Sequence, residues 1–334
     1  MAMKKFINNS ENLVPELLEG YALAYPGHIK LTPSRLVVRA RQKAQGKVGV
    51  ITLGGSGHEP ALSGFVGEGM LDISVPGEIF AAPGPPKCLE AIKLAERGAG
   101  VLFIVLNHSG DVLSANTTMD MAKKQKLNVK TVLTYEEVAD TPRDKKPSER
   151  RGLVGCIPVY KIVGAAAEAG MSLDQCVAIA ERAAQNMATQ GVAMTSATHP
   201  STGQAMFTLP DDEMEIGMGQ HGEAGRGRMK IQTADRTAEL MLNQLLDDLK
   251  VKAGEQLMVL LNGFGATTLM ELFIIFRRVH QLCAEKKIKV VASRVGEFLT
   301  VQEMAGFQMN IMRLDDELLK LWNAPCDAPY WTKR

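Results

Sequence analysis

The chain has 334 residues, of which 46% are hydrophobic and 22% are charged, as is ordinary for a globular protein. The formal net charge of +1 argues against a basic surface for nucleic acid or an anionic membrane. The five cysteines are an odd number without a CxxC pair, which argues against disulfides and zinc. The N-terminus lacks the apolar run of a signal peptide, and the longest apolar stretch, 269–276, is too short to span a bilayer. We therefore expect a cytoplasmic protein.

In the first half, β-branched apolar runs alternate with segments of helical periodicity. A short helix is expected to begin at Glu59-Pro60, because proline suits a first helical turn. This alternation predicts an α/β layer with a largely parallel sheet. The predicted strands are 47–53, 71–75, 100–106 and 129–135, and the longer predicted helices are 86–97 and 111–125.

A charged segment with two prolines, 140–151, predicts a solvated surface loop. Two helices follow over 155–187, and Ser172 is expected to cap the second. We expect two α/β domains, 1–187 and 188–334, each with a central largely parallel or mixed sheet flanked by helices. In the second domain the predicted strands are 192–197, 213–218, 256–261, 289–292 and 310–314, and the predicted helices are 233–249, 267–287 (capped by Thr267) and 315–322.

Three loops at predicted strand ends contain candidate ligand-binding and catalytic residues. Ligands of open α/β sheets lie beyond the carboxyl ends of strands, which is where these loops are expected. The glycines of 54–60 let the backbone approach a ligand, and His58 can transfer a proton; a simple tight turn explains this loop equally well. Asp111 either caps a helix or accepts a hydrogen bond or proton from a substrate hydroxyl. His221 stands between glycines, which clear space for a nucleophile, although a lone loop histidine is often structural.

Several ordered segments together resemble the K subunit of bacterial dihydroxyacetone kinases, the DhaK-type family. The segments span nearly the whole chain, and their order is more specific than any one motif. They are KKFIN at 4–8, GGSGHEP at 54–60, PGEIF at 76–80, SGD at 109–111, MGQHGEAG at 218–225, LNGFGAT at 261–267 and RLDDELLKLWNAP at 313–325.

The resemblance implies roles for particular residues. A short-chain ketose would bind covalently as a hemiaminal on His221, while His58 and Asp111 would act on its hydroxyl during phosphoryl transfer. A covalent bond to the carbonyl carbon discriminates a ketose from a polyol such as glycerol, which has no carbonyl. Hydrogen bonds alone discriminate poorly between such similar molecules. We also place five residues among the substrate contacts: Gly55, Ser56, Gly57, Leu106 and Gly219.

The resemblance also implies partners. The chain itself would bind no cofactor and no metal, and ATP or ADP with Mg²⁺ would sit on a separate DhaL-type subunit. Phosphate would reach that nucleotide from free ATP or from a phosphotransferase-system protein. A homodimer is implied as well. The lack of a Gly-Lys-Ser/Thr phosphate loop agrees with a chain that needs a nucleotide-bearing partner.

Several positions depart from the family pattern. A hydroxyl residue is commonly found after PGEIF, where this chain has Ala81-Ala82, and Leu106 replaces a lysine that can reach the sugar. Two interpretations remain open: another ketose, such as erythrulose or apulose, or a non-catalytic ketose-binding co-activator of transcription. The acid–base pair His58 and Asp111 favours an enzyme of the glycerone kinase type. The other departures are Leu53, His108-Ser109, Gln220 and Ala224, the last of which lies outside the residues described below.

Overall fold

The structure, a computed structural model, describes residues 4–139, 141–144, 149–223, 225 and 227–334. The chain forms two compact units, and neither is continuous in sequence. The first unit contains the chain up to Thr134 together with Cys156–Ala183 and Glu317–Arg334. The second unit contains Tyr135–Gly155 and Ala184–Asp316.

The boundary predicted at 187/188 lies close to one crossing between the units, at Ala183/Ala184. The sequence did not indicate that Tyr135–Gly155 belongs with the second unit or that the last residues return to the first. Hydrophobic periodicity identifies local elements but not their long-range pairing, so these crossings left no local pattern to detect.

The first unit is built on a six-stranded sheet of order β1-β2-β4-β3-β5-β6. The four strands from β4 to β6 are parallel, and β2 and β1 continue the sheet antiparallel. Every residue of β5 is buried, as its uninterrupted apolar run predicts. The strands are β1 (Ile29–Leu31), β2 (Val37–Arg39), β3 (Gly49–Ser56), β4 (Ile73–Ile79), β5 (Val101–Leu106) and β6 (Val129–Thr134).

Helices α2 and α3 each bury one apolar side against this sheet, whereas Leu94 and Leu113 stay exposed, and α4 contacts β3 and β5. Ser172 caps α5, as predicted, by accepting the Gln175 N–H at 3.3 Å. The helices are α1 (Leu13–Ala24), α2 (Pro85–Ala95), α3 (Ser109–Lys124), α4 (Cys156–Glu168), α5 (Leu173–Gln185) and α8 (Asp316–Asn323), and the hairpin β13 (Cys326–Ala328) with β14 (Trp331–Lys333) ends the chain.

The prediction of a short helix that begins at Glu59-Pro60 is wrong. Residues around them form turns, and only a single 3-10 turn follows, at Ser63–Phe65. The Glu59 carboxylate accepts the Gly57 N–H at 3.0 Å, and such a local bond stabilises a turn in place of a helix start.

The second unit has a mixed sheet of order β11-β10-β12-β7-β8-β9, in which only β10 and β11 pair in parallel. Helices α6 and α7 cover one apolar face of it. The strands are β7 (Met187–Ala193), β8 (Glu213–Ile216), β9 (Gly227–Lys230), β10 (Gln256–Gly263), β11 (Lys289–Gly296) and β12 (Gly306–Arg313), and the helices are α6 (Ala234–Leu249) and α7 (Leu269–Glu285).

Two local predictions for the second unit are corrected. Thr268, not Thr267, is the N-cap of α7 and forms a reciprocal capping box with Glu271, whereas the Thr267 hydroxyl accepts the Gly306 N–H. Within the described part of 140–151, the solvated-loop prediction agrees with the exposed Pro142, Asp144 and Glu149 but is wrong for Arg150, which is only 1% exposed and pairs with Asp248. A buried arginine needs such a carboxylate partner.

None of the helices in the described ranges is long and apolar enough to cross a membrane.

Candidate functional site

In the first unit, the loops after β3 and β4 meet at the carboxyl edge of the parallel strands. His58 follows β3, is 5% exposed, and places its ring 4.9 Å from the Phe80 ring, which follows β4. A Cβ on Gly55 would lie 2.7 Å from the Ala81 backbone nitrogen, so only glycine allows this approach. Phe80 ends the PGEIF segment that was singled out in the sequence, but its contact with His58 was not anticipated.

The loop after β5 reaches the same edge. A Cβ on Gly110 would lie 3.5 Å from the Cβ of Ala82, next to Asp111. Asp111 is not the N-cap of α3, because the helix begins at Ser109 and His108 is the N-cap. Asp111 lies instead in the first helical turn, where the helix dipole favours an ionised carboxylate. His58, Asp111 and the substituted Ala81-Ala82 thus belong to one cluster of loops.

Ser56, Gly57 and Leu106 belong to the same strand ends. Ser56 is 3% exposed and its hydroxyl donates to the Gly77 carbonyl at 2.8 Å, which ties β3 to β4. Leu106 is also 3% exposed and offers only apolar atoms. A Cβ on Gly57 would lie 2.8 Å from the Phe80 ring. Their roles as substrate contacts stay predictions.

In the second unit, His221 lies in a tight loop between β8 and β9. The Gly219 N–H donates to the Glu223 carbonyl at 2.9 Å, and Gly222 has a φ of +81°, which favours glycine. The Glu223 carboxylate accepts the His221 backbone N–H at 2.8 Å and lies 3.1 Å from the imidazole Nδ1. Glu223 thus contacts both the backbone and the ring of His221, while the side chain of His221 stays 27% exposed.

This contact defines the state of the imidazole. Burial by itself would raise the pKa of Glu223, but the hydrogen bonds and charge of His221 hold that pKa well below its usual range. An ionised carboxylate only accepts hydrogen bonds, so Nδ1 must carry the proton. In the neutral ring, Nε2 then keeps its lone pair and can act as a nucleophile. The Glu223 partner was missed, although it directly follows His221-Gly222 in the sequence.

Comparison with known proteins identifies the family of this chain. Residues 19–330 match the Dak1 domain. The chain belongs to the Dak1 domain family. This confirms the resemblance stated from the motifs.

Relatives in this family carry more than one described activity. The chain is 38% identical to the dihydroxyacetone-binding subunit DhaK of the PTS-dependent dihydroxyacetone kinase 1 of Listeria innocua, over 98% of this chain and 100% of that subunit. It is 35% identical to the L-erythrulose kinase of Pectobacterium atrosepticum, over 99% of this chain but 56% of that enzyme. The solved structure of the dihydroxyacetone kinase operon co-activator DhaQ superimposes with a TM-score of 0.89, at 30% identity, and covers 95% of this chain and 98% of that one. The two α/β units with mixed sheets are thus confirmed as the fold class.

Proposed function

We propose that this chain is the ketose-binding subunit of a two-component kinase. It binds a short-chain ketose covalently on His221 and presents the terminal hydroxyl for phosphoryl transfer from a nucleotide on a DhaL-type subunit. The observation that carries this proposal is the contact between His221 Nδ1 and Glu223 Oε1 at 3.1 Å, since a neutral ring with its proton on Nδ1 has the nucleophilic lone pair on Nε2.

The covalent step balances without any further reagent. Nε2 of His221 attacks the ketose carbonyl carbon, the N–C bond forms and the C=O π bond breaks. The ring loses its Nδ1 proton to Glu223, and this proton is passed on through solvent to the former carbonyl oxygen, which becomes a hydroxyl while Glu223 returns to its carboxylate form. The product is a neutral hemiaminal, and a polyol without a carbonyl cannot form it.

The second half of the reaction uses the first unit. His58 and Asp111 act on the ketose hydroxyl that attacks the phosphate, and one of them accepts its proton, while positioning and charge stabilisation account for most of the catalysis in such transfers. The nucleotide and its Mg²⁺ belong to the partner subunit. The name of the Listeria relative supports a phosphotransferase-system protein as phosphate donor. A homodimer remains a prediction from the family resemblance.

Native mass spectrometry tests the covalent step. Wild-type chain incubated with dihydroxyacetone should gain the mass of one sugar, and His221→Ala should gain none. His280→Ala, on the exposed side of α7, is the matched control and should keep the adduct. An equal adduct in His221→Ala, or none in the wild type, contradicts the proposal.

A co-activator that binds a ketose without phosphorylating it is the second candidate, because the DhaQ structure is so similar. A coupled assay with a DhaL-type subunit, Mg²⁺ and ATP separates the two candidates. Ketose phosphate that disappears in His58→Ala and Asp111→Ala supports the kinase. An adduct without any phosphorylated product supports the co-activator. Parallel reactions with dihydroxyacetone and erythrulose identify the preferred ketose, which the altered Ala81-Ala82 and Leu106 leave open.

A further inference from the structure

Arg151 connects a buried carboxylate with the loop that carries His221. Its Nε and Nη2 atoms both donate to the Glu137 carboxylate, and Nη2 also donates to the Gly217 carbonyl at 3.1 Å. Glu137 is fully buried and the side chain of Arg151 is 13% exposed. A bidentate ion pair whose two side chains are shielded from solvent has one strongly preferred geometry. The guanidinium therefore provides a fixed point at the start of the loop.

The same guanidinium extends beneath the loop to Gly219. A Cβ on Gly219 would lie 2.6 Å from Arg151 Nη1 and 2.3 Å from Glu223 Oε2. The cation and the carboxylate thus flank Gly219, where a side chain would collide with both. Since this carboxylate also holds His221 through its backbone N–H and Nδ1, a displacement of Arg151 would be transmitted to the imidazole.

We infer that Arg151, anchored by Glu137, is a positioning residue for His221. It fixes the loop at Gly217 and faces the carboxylate that keeps the His221 proton on Nδ1. This inference deepens the proposed function and rests on it for the covalent step. Lysine cannot replace arginine here, because one ammonium group lacks the planar fork that reaches both Glu137 and Gly217.

Arg151→Lys tests the inference while keeping a positive charge beside Glu137. Two quantities are measured on the full chain: the dihydroxyacetone concentration that half-saturates the adduct, and the ring ¹⁵N chemical shifts of His221 without sugar. We expect the half-saturating concentration to rise about tenfold or more, as for the loss of a hydrogen bond to a charged group. The ¹⁵N shifts should move from a predominant Nδ1–H tautomer toward a mixture. A purely structural role would lower thermal stability without altering the tautomer.

Arg143→Lys is the matched control from the same segment. Arg143 also pairs with a carboxylate, Asp248, but its other hydrogen bonds go to the carbonyls of Gln185 and Met187. This variant should keep the wild-type adduct and ¹⁵N spectrum. The double variant Glu137→Gln with Arg151→Gln replaces the ion pair by two amides and covers the case in which Arg151→Lys does not fold.

The outcomes separate this inference from the proposed function. Unchanged half-saturation and unchanged ¹⁵N shifts in a folded Arg151→Lys or double variant overturn the positioning role. A wild-type chain that forms no adduct overturns the proposed function. The ¹⁵N comparison in sugar-free protein decides the positioning role in either case.

Discussion

The two candidate histidines differ in their surroundings, and the difference fits their proposed roles. His221 is 27% exposed and held by a carboxylate, so a ketone can approach Nε2. His58 is 5% exposed and lies against the Phe80 ring, where only a small hydroxyl of a bound substrate can approach it. A nucleophile needs access to a carbon, whereas a proton acceptor needs only hydrogen-bond reach.

A buried carboxyl in the second unit gives a prediction about pH. Glu136 is 1% exposed, and burial raises its pKa to about 7 even though its Oε1 accepts the N–H groups of Leu153 and Gly155. An unfolded glutamate titrates near about 4.3. Between these values the folded chain holds a proton that the unfolded chain has lost, so stability falls as pH rises and the loss is complete above about 7.

Glu136→Gln should therefore increase the free energy of unfolding at pH 8, by on the order of 1–3 kcal/mol. At pH 4.5 the gain should be much smaller, since the wild-type carboxyl is then protonated and neutral. Urea unfolding at both pH values measures the difference. Glu285→Gln, on the exposed end of α7, is the control and should show no such pH dependence. An equal effect of Glu136→Gln at both pH values would contradict the explanation.

At the scale of elements, the sequence was most informative where apolar periodicity was long. The β5 run is wholly buried, and the predicted stripe of α6 at Ala238, Met241, Leu242 and Leu245 is buried as well. Helix α1, the four-residue strand β9 and the three-residue strands β1, β2, β13 and β14 were missed; such short strands have too few residues for a period to show. The candidate histidines and Asp111 were proposed from sequence motifs, and their roles stay predictions. The contacts of Phe80, Glu223 and Arg151 became apparent only from the structure.

The approach of β3 to the turn after β4 gives a prediction for Gly55. Its α-carbon faces the backbone at Phe80 and Ala81, so a methyl group would push the two strand ends apart. Gly55→Ala should lower phosphoryl transfer by tenfold or more, because a misplacement of about 1 Å in a catalytic site can cost on the order of 100-fold in rate. It should leave the His221 adduct intact, because the covalent bond forms in the second unit.

Kinase assays and native mass spectrometry on the same preparation measure both quantities. The control is Gly20→Ala in α1, where a Cβ meets nothing within 4 Å. This change should keep activity and slightly raise stability, since alanine suits a helix better than glycine. Wild-type transfer rates in Gly55→Ala would show that the strand ends tolerate separation.

At the scale of the whole molecule, the candidate residues are divided between units that the chain enters more than once. His58 and Asp111 belong to the first unit, and His221 belongs to the second. The second unit depends on the distant segment Tyr135–Gly155. In it the Val154 N–H donates to Gln308 Oε1 at 3.1 Å, and the Thr189 N–H donates to the Glu136 carbonyl at 2.8 Å. A division of the sequence at one boundary therefore cannot reproduce either unit.

This connectivity predicts that the fragment 188–334 does not fold. It lacks Tyr135–Gly155, so Gln308, which is fully buried in the whole chain, loses the Val154 amide as its hydrogen-bond donor. Leaving a buried polar group unsatisfied costs about 1–3 kcal/mol, and this fragment leaves several. Far-UV circular dichroism provides the measurement, because it reports on the helices and strands of the second unit, whereas Trp322 and Trp331 are buried in the first unit and would lose their surroundings in the fragment in any case.

In the whole chain, the circular dichroism signal of helix and sheet should be lost cooperatively in urea. In the fragment, this signal should already be that of an unfolded chain and should show no cooperative change at any urea concentration. A fragment with native-like helix and sheet content and a cooperative transition would mean that 188–334 is a folding unit after all. The inserted segment would then be an addition to the second unit and not a part of its core.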